Sequence, residues 1–129
     1  MLGTVGGWAC GGGPGGPSFP VQAGAWGGDH AALTVADTTT HLELDCAHGD
    51  IQGAFATDAR GQFNLTGTFV REHGGPIRQG EVPDSHPALY SGSVSSMAMV
   101  LTVRLSDSTE VIGPFNLVQG SSGRVVKCL

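Results

Sequence analysis

Five histidines and three cysteines are the side chains of this 129-residue sequence that could bind a metal ion or act as nucleophiles. Histidine imidazole is the commonest neutral nitrogen ligand of zinc and copper, and a site needs three or four ligands around one ion. None of the histidines stands at H-x-H or H-E-x-x-H spacing, so only the fold could bring them together. The cysteines, Cys10, Cys46 and Cys128, lack C-x-x-C spacing, which argues against a zinc ribbon or a thioredoxin-like site.

The elements that must position these residues are predicted to be strands. From Ala25 onward no window of about 11 residues keeps an apolar i, i+3, i+4 pattern, whereas period-2 alternation bounded by turn residues recurs. The predicted strands are 31–35, 41–46, 51–56, 62–70, 88–94, 97–105, 111–118 and 124–128. They predict an all-β fold, an eight-stranded antiparallel up-and-down barrel, because closure removes exposed edges. An open sandwich is the alternative, and Pro114 inside the seventh strand is an objection to regular pairing.

The first part of the chain is rich in glycine and proline. Residues 1–28 hold 11 of the 22 glycines, and such a segment cannot bury enough apolar surface to offset its backbone entropy. Residues 1–23 are therefore predicted to be a flexible leader or tether, and residues 24–129 a single barrel domain. Gly7-Trp8-Ala9-Cys10 looks like the end of a lipoprotein signal with an acylatable cysteine; the alternative is a leader with an incidental cysteine. The first alternative predicts a secreted or periplasmic protein, lipid-tethered at Cys10.

Charge and hydropathy exclude several classes of partner. The sequence has 11 acidic and 6 basic side chains, a formal charge of -5, and no basic run. Nucleic acid and anionic membrane surfaces are therefore not expected partners. No stretch approaches the roughly 18 to 20 apolar residues of a membrane-spanning helix. A small-molecule ligand or substrate is the expected partner.

An antiparallel meander brings most of the histidines to one end of the barrel. His30 precedes the first predicted strand, His48 follows the second, His73 follows the fourth and His86 precedes the fifth, whereas His41 falls at the other end. The sequence therefore predicts a zinc or copper site formed by His30, His48, His73 and His86. Glu72 would then be the catalytic general base toward a metal-bound water, which makes the chain a candidate hydrolase. The alternative is that these histidines are solvated loop residues.

Two further features belong to the same end. Cys46 and Cys128 end the second and eighth predicted strands on equivalent faces, so a disulfide between them is sterically feasible and would suit an oxidising compartment. The connection from Arg71 to His86, about 16 residues, is longer than a structural turn requires. This loop is a candidate interaction surface if the protein binds neither metal nor small ligand.

The start of the predicted domain resembles a known class of small barrels. Gly24-Ala25-Trp26 resembles the G-x-W that opens lipocalin-like and avidin-like barrels, in which the tryptophan closes one end beside an arginine of the last strand, here Arg124. This resemblance implies a binding module that holds an apolar ligand inside the barrel. The interior residues that would bind it are predicted to be Phe55, Phe63, Phe69, Tyr90, Met97 and Met99. Asp45-Cys46-Ala47-His48-Gly49 and Lys127-Cys128 also resemble small exported bacterial proteins, a resemblance that implies no function.

Overall fold

The computed structural model describes residues 18–128, which contain ten strands and no helix. The strands are β1 (Phe19–Pro20), β2 (Gly24–Gly28), β3 (Ala31–Val35), β4 (Thr39–Leu44), β5 (Ala47–Gln52), β6 (Ala56–Thr57), β7 (Gln62–Arg71), β8 (Asp84–Ser95), β9 (Ala98–Leu105) and β10 (Val111–Gln119). Eight of them form a closed antiparallel barrel in the order β10-β2-β3-β4-β5-β7-β8-β9, and β1 pairs with β6 outside it. The predicted eight-stranded barrel is confirmed.

The barrel has the predicted number of strands but not the predicted membership. Its first strand is β2, which the sequence analysis treated only as an opening motif, because three glycines among five residues hide the strand signal. Two of these glycines are required by close packing: a Cβ on Gly27 would lie 2.5 Å from Gly123 Cα, and one on Gly28 would collide with the Asn116 carbonyl. The predicted eighth strand, 124–128, is wrong, since β2 already pairs with β10. The C-terminal tail, residues 120–128, makes only an isolated bridge from Arg124 to Asp29.

Part of the predicted flexible leader packs on the barrel. Phe19 and Pro20 pair with Thr57 and Ala56, and the buried Val21 donates its N–H to the Phe55 carbonyl at 2.9 Å. Residues 18–23 therefore cover the end of the barrel opposite His30, and the leader prediction is wrong for them. Residues 1–17, including the predicted lipidation site Cys10, lie outside the described part of the chain.

Inward-facing side chains fill the barrel. Alternate residues of β3, β4, β5 and β9 are buried, as in β9, where Met99, Leu101, Val103 and Leu105 point inward. The largest buried residues of the interior are Trp26, Leu33, Leu42, Ile51, Phe69, Tyr90, Met99, Leu101, Leu105 and Leu117. An eight-stranded barrel is just wide enough for its side chains to fill it. The core is thus built as the alternation predicts.

Two predicted interior features need correction. Met97 is 57% exposed because it lies in the turn between β8 and β9, where the residue before it, Ser96, has φ 58°. Phe55 is buried but lies in the loop after β5, stacked edge to face on Phe63 at 4.8 Å between ring centroids. Phe55, Phe63, Phe69, Tyr90 and Met99 are therefore core residues, and Met97 is not.

A β-bulge in β10 resolves the objection raised by Pro114. The register of β10 against β9 shifts between Ile112 and Phe115, and the bulge contains Gly113 and Pro114. Proline has no N–H for the ladder, so a bulge is a position that tolerates it. The shift also lets Ile112 pair with Val103 and Phe115 with Leu101, so both side chains follow the inward-facing positions of β9.

The C-terminal tail is fastened along the outside of the barrel. Arg124 N–H donates to Gly28 O at 2.9 Å, His30 N–H donates to Arg124 O at 2.7 Å, and Val126 N–H donates to Asp45 Oδ1 at 2.7 Å. The predicted disulfide between Cys46 and Cys128 is present, with a Cα–Cα distance of 4.9 Å that is normal for such a bond. The described part of the tail therefore reaches the turn between β4 and β5 at Cys128.

The pair implied by the lipocalin-like resemblance is only half present. Trp26 is buried and its indole N–H donates to Gln22 O at 2.9 Å, so it closes the barrel under residues 18–23. Arg124 lies instead beside Asp29, with an exposed side chain. The prediction that Arg124 lies in the last strand of the barrel is wrong, because the segment that carries it makes only an isolated bridge.

Candidate functional site: the mouth of the barrel

The end of the barrel that carries His30 brings together most of the residues predicted to do chemistry. His30 lies in the turn after β2, Asp45 and Cys46 form the turn between β4 and β5, and Glu72 follows β7. His73 lies in the loop 72–83, and His86 is the third residue of β8. His48 is the second residue of β5, and its outward position is next to this end. We call this end the mouth of the barrel.

The sequence predicted that His41 lies at the opposite end of the barrel, and this prediction is wrong. β4 begins at Thr39 rather than at His41, and His41 pairs with Asp50 of β5. The rings of His41 and His48 are 6.0 Å apart on the outer surface. His41 therefore belongs to the same surface as His48, and the error of two residues in the predicted start of this strand concealed this.

A cavity of about 360 Å³ occupies the mouth. Its apolar walls are formed by Leu44, Ala47, Phe69, Ile112 and Phe115. Its polar rim is formed by His30, Asp45, Cys46, Arg71 and Glu72. The opening exists because β10 pairs with β2 only through Val118 and Gln119, so the first half of β10 has no strand beside it on that side. The bulge in β10 then turns two large apolar side chains toward the space.

Each of the four histidines predicted to bind metal has its own carboxylate partner. His30 Nδ1 lies 2.6 Å from Asp45 Oδ2, and His48 Nδ1 lies 2.7 Å from Glu72 Oε2. His73 contacts Glu81, and His86 lies 2.8 Å from both Asp84 and Asp107. Within residues 18–128 no three His, Cys, Asp or Glu side chains are arranged to hold one metal ion. The structure does not bring the four histidines together, and a zinc or copper site on them stays a prediction.

Glu72, the predicted general base, is already engaged twice. Its Oε2 accepts hydrogen bonds from His48 Nδ1 at 2.7 Å and from Lys127 Nζ at 2.9 Å. Burial would raise the pKa of Glu72, but these two hydrogen bonds outweigh it, so the pKa lies below its ordinary value. A carboxylate with a lowered pKa is a weaker proton acceptor. The geometry therefore favours a role for Glu72 as the ionised partner of His48 and Lys127 over general-base catalysis.

Lys127 is the residue at this end that sequence reasoning missed. Its ammonium donates to the carbonyls of Leu44 and Ala47 at 3.0 Å each, and it also contacts Glu72 and, at 2.5 Å, Glu43. These contacts lie on the outer side of the β4–β5 hairpin and join the tail to the hairpin. Two features of the sequence could have indicated its importance: Lys127 is the only lysine, and it directly precedes Cys128.

A chain of ionisable groups covers the outer face of β4 and β5. It runs through Asp50, His41, Glu43, Lys127, Glu72 and His48, each in hydrogen-bond or ion-pair contact with the next. Burial would lower the pKa of His41, but hydrogen bonds with Asp50 and Glu43 outweigh it and raise the pKa. The carboxylates of Glu43 and Glu72 have lowered pKa values for the complementary reason.

The barrel is expected to be more stable at mildly acidic pH than at pH 8. The pKa values of His41, His73 and His86 are raised above the ordinary 6.5 by carboxylate or carbonyl partners. Their stabilisation is therefore fully present below about pH 6.5 and is lost as the pH rises through the higher folded-state values. Thermal melts at pH 5.5 and 8.0 at constant ionic strength should show the higher melting temperature at pH 5.5.

The acid limb of the same profile has the opposite origin. Glu43, Asp45, Glu72 and Glu81 have lowered pKa values, so their stabilisation is lost as the pH falls below about 4.5 through the folded-state values. The optimum should lie between roughly pH 4.5 and 6.5. His86→Asn should reduce the difference between pH 5.5 and 8.0, and a melting temperature that is equal or higher at pH 8.0 in the unchanged protein would contradict the assignment.

Comparison of the chain with protein-family models, curated sequences and solved structures gives no match. The lipocalin-like resemblance, which rests on the Gly24-Ala25-Trp26 opening and the eight-stranded barrel, stays a prediction. No helix in residues 18–128 is long and apolar enough to cross a membrane.

Proposed function

We propose that this protein is a binding module that holds a small, mainly apolar molecule in the mouth of its barrel. The observation that carries the proposal is the cavity of about 360 Å³ with apolar walls and a polar rim. Ligand pockets typically measure about 300 to 1,000 Å³ and combine apolar walls with a few polar groups. A molecule with a single phenyl or short alkyl body fits this volume.

The proposed site differs from the one expected from the lipocalin-like resemblance. Phe55, Phe63, Tyr90 and Met99 are buried in a packed interior, and Phe69 is the one predicted ligand contact that lines the mouth. Ile112 and Phe115 take the place of the other predicted contacts. The ligand would thus bind at the end of the barrel and not along its axis.

Binding is tested by titrating the labelled protein with 4-phenylbutanol while amide shifts are recorded by NMR. We expect saturable shifts at residues around the mouth. Phe115→Ala should weaken binding about tenfold, because losing an aromatic wall costs on the order of 1.5 kcal/mol. Val118→Ala, on the exposed side of the same strand, is the matched control and should leave the affinity unchanged. Unsaturable shifts, or equal losses in both variants, would refute the proposal.

The metal-assisted hydrolase is the competing hypothesis, and metal content separates it from the binding module. Near-stoichiometric zinc or copper in protein purified without a tag or chelator would support it, and His48→Ala should then lower the metal content. Protein that takes up neither metal would leave the binding module as the working function. We further propose that the protein acts in an oxidising compartment, because the Cys46–Cys128 bond is of the kind that persists there.

A further inference from the structure

We infer that the molecule held in the mouth carries a positively charged head group, such as a protonated amine, on its apolar body. This inference rests on the proposed binding function and names its ligand class. It is carried by the distribution of charge around the mouth and by the hydrogen-bond and ion-pair partners of the charged rim residues.

Acidic side chains are concentrated at this end of the barrel. The turns, tail and strand ends around the mouth carry seven of the 11 acidic residues, namely Asp29, Asp45, Glu72, Glu81, Asp84, Asp107 and Glu110. The same segments carry four of the six basic residues, namely Arg71, Arg78, Arg124 and Lys127. The surroundings of the mouth therefore have a formal charge of -3 when the histidines are neutral, and the charge becomes less negative as His73 and His86, whose pKa values are raised, bind protons. A cleft lined by one sign of charge attracts ligands of the other sign.

The rim of the cavity is itself acidic. Asp45 and Glu72 line it, and hydrogen bonds hold the pKa of each carboxyl below its ordinary value, from the Val126 N–H and His30 to Asp45 and from His48 and Lys127 to Glu72. The single cation that lines the cavity is Arg71, whose guanidinium is paired with Glu110 and lies 5.6 Å from the centre of the Phe69 ring. An anionic head group would meet two carboxylates and a guanidinium that is paired with Glu110. The two carboxylates are themselves paired, Asp45 with His30 and Glu72 with His48 and Lys127, so the net negative charge around the mouth decides which sign of ligand is preferred.

The rim already stabilises one ammonium ion. Lys127 Nζ is held by Glu72 and by the carbonyl oxygens of Leu44 and Ala47, three residues that also line the cavity. Lys127 occupies these oxygen atoms from the outer side of the hairpin, so they show that this edge suits an ammonium ion and are not themselves the ligand's partners. The apolar walls formed by Phe69, Ile112 and Phe115 then suit the uncharged body of the same ligand.

The ligand class is tested with three probes that share one body: 4-phenylbutylamine, 4-phenylbutanol and 4-phenylbutyrate, titrated at pH 7.5 in about 20 mM and about 200 mM salt. We expect the amine to bind about fivefold more tightly than the alcohol at low salt, which is the size of a partly exposed ion pair, and the carboxylate to bind most weakly. The advantage of the amine should shrink at higher salt, where the Debye length falls below about 10 Å.

The outcomes separate this inference from the proposed function. If the alcohol or the carboxylate binds at the mouth as tightly as the amine, the charge inference is overturned while the binding module stands. If none of the three probes binds at the mouth, both fail. An amine that binds best and loses its advantage in salt supports both.

Variants assign the effect to the rim. Glu72→Gln should weaken the amine about fivefold and leave the alcohol unchanged. Asp37→Asn, in the turn between β3 and β4 at the other end of the barrel, is the matched control and should change neither. Equal weakening of amine and alcohol by Glu72→Gln would overturn a charge-specific role. Glu72 and Asp45 both also hold the tail, Asp45 by accepting the Val126 N–H on Oδ1. Asp45→Asn keeps an Oδ1 acceptor for that N–H while removing the charge, so it provides a second test with the same expected pattern.

Discussion

Replacing Cys46 with serine is expected to lower the melting temperature of the barrel by about 10 °C or more. The bond between Cys46 and Cys128 closes a loop that spans a sequence separation of 82 residues, which is most of the domain. In the chain-entropy description a loop of this length restricts the unfolded chain by about 4 to 5 kcal/mol, and native disulfides typically stabilise by about 2 to 4 kcal/mol. We therefore expect about 3 kcal/mol less stability.

The native state should lose contacts as well. The tail is fastened near the bridge by the Val126 N–H to Asp45 and by Lys127 on the β4–β5 hairpin. Cys46 has φ 59°, a conformation that costs a non-glycine residue on the order of 1 kcal/mol. Serine keeps this cost but loses the covalent bond that offsets it, so the loss should exceed the cost of one side-chain contact.

The measurement uses thermal and urea unfolding of variants that all carry Cys10→Ser, which keeps the third cysteine from exchanging with the bridge. Cys128→Ser should lower stability as much as Cys46→Ser, and the double variant should lower it no further, because one bond is lost in each. Reduction of the bridged protein should reproduce the effect. A change of less than about 2 °C, or additive losses in the double variant, would contradict the prediction.

The strands that could be predicted are those whose side chains alternate on a half-buried surface. Val35, Phe69 and Leu105 lie in strands with clear period-2 patterns, and these strands appear close to their predicted bounds. β2 could not be predicted from its residue types, because Gly27 and Gly28 are required by close backbone contacts with the tail and with β10 and not by strand propensity. The segment 124–128 has a strand-like sequence, but β10 already pairs with β2 on one side and with β9 on the other. The barrel therefore closes without this segment, which has no partner strand with which to form a ladder.

The candidate site was predictable in position but not in chemistry. An antiparallel meander suffices to bring His30, His73 and His86 to one end. It does not show which carboxylate each ring will meet, since those partners come from other turns. The apolar walls were hidden for a different reason: simple alternation places Ile112 and Phe115 on opposite faces, and only the bulge between them turns both toward the mouth. Irregularities of the ladder, which composition does not report, therefore decide the site.

Replacing Gly49 with alanine is expected to destabilise the barrel by about 3 kcal/mol. Gly49 is buried on the inward face of β5, where its missing side chain makes room for the hydroxyl end of Tyr90. A Cβ at this position would collide with the Tyr90 hydroxyl and lie 2.6 Å from the Thr68 carbonyl oxygen. That hydroxyl is fully buried and donates to Thr68 O at 2.5 Å, so it cannot move without leaving a buried polar group unpaired.

A double-mutant cycle distinguishes this collision from a general effect of a methyl group in a strand. Tyr90→Phe alone should cost about 1 kcal/mol through the lost hydrogen bond, and Gly49→Ala in that background should cost less than in the original protein by more than about 1 kcal/mol. Gly75→Ala is the control, since its methyl group meets no atom within 4 Å and carries only the strain of φ 82°. Urea unfolding supplies the free energies. Strictly additive losses would show that Gly49 is not what accommodates Tyr90, and the packed interior that confines the ligand site to the mouth would need another explanation.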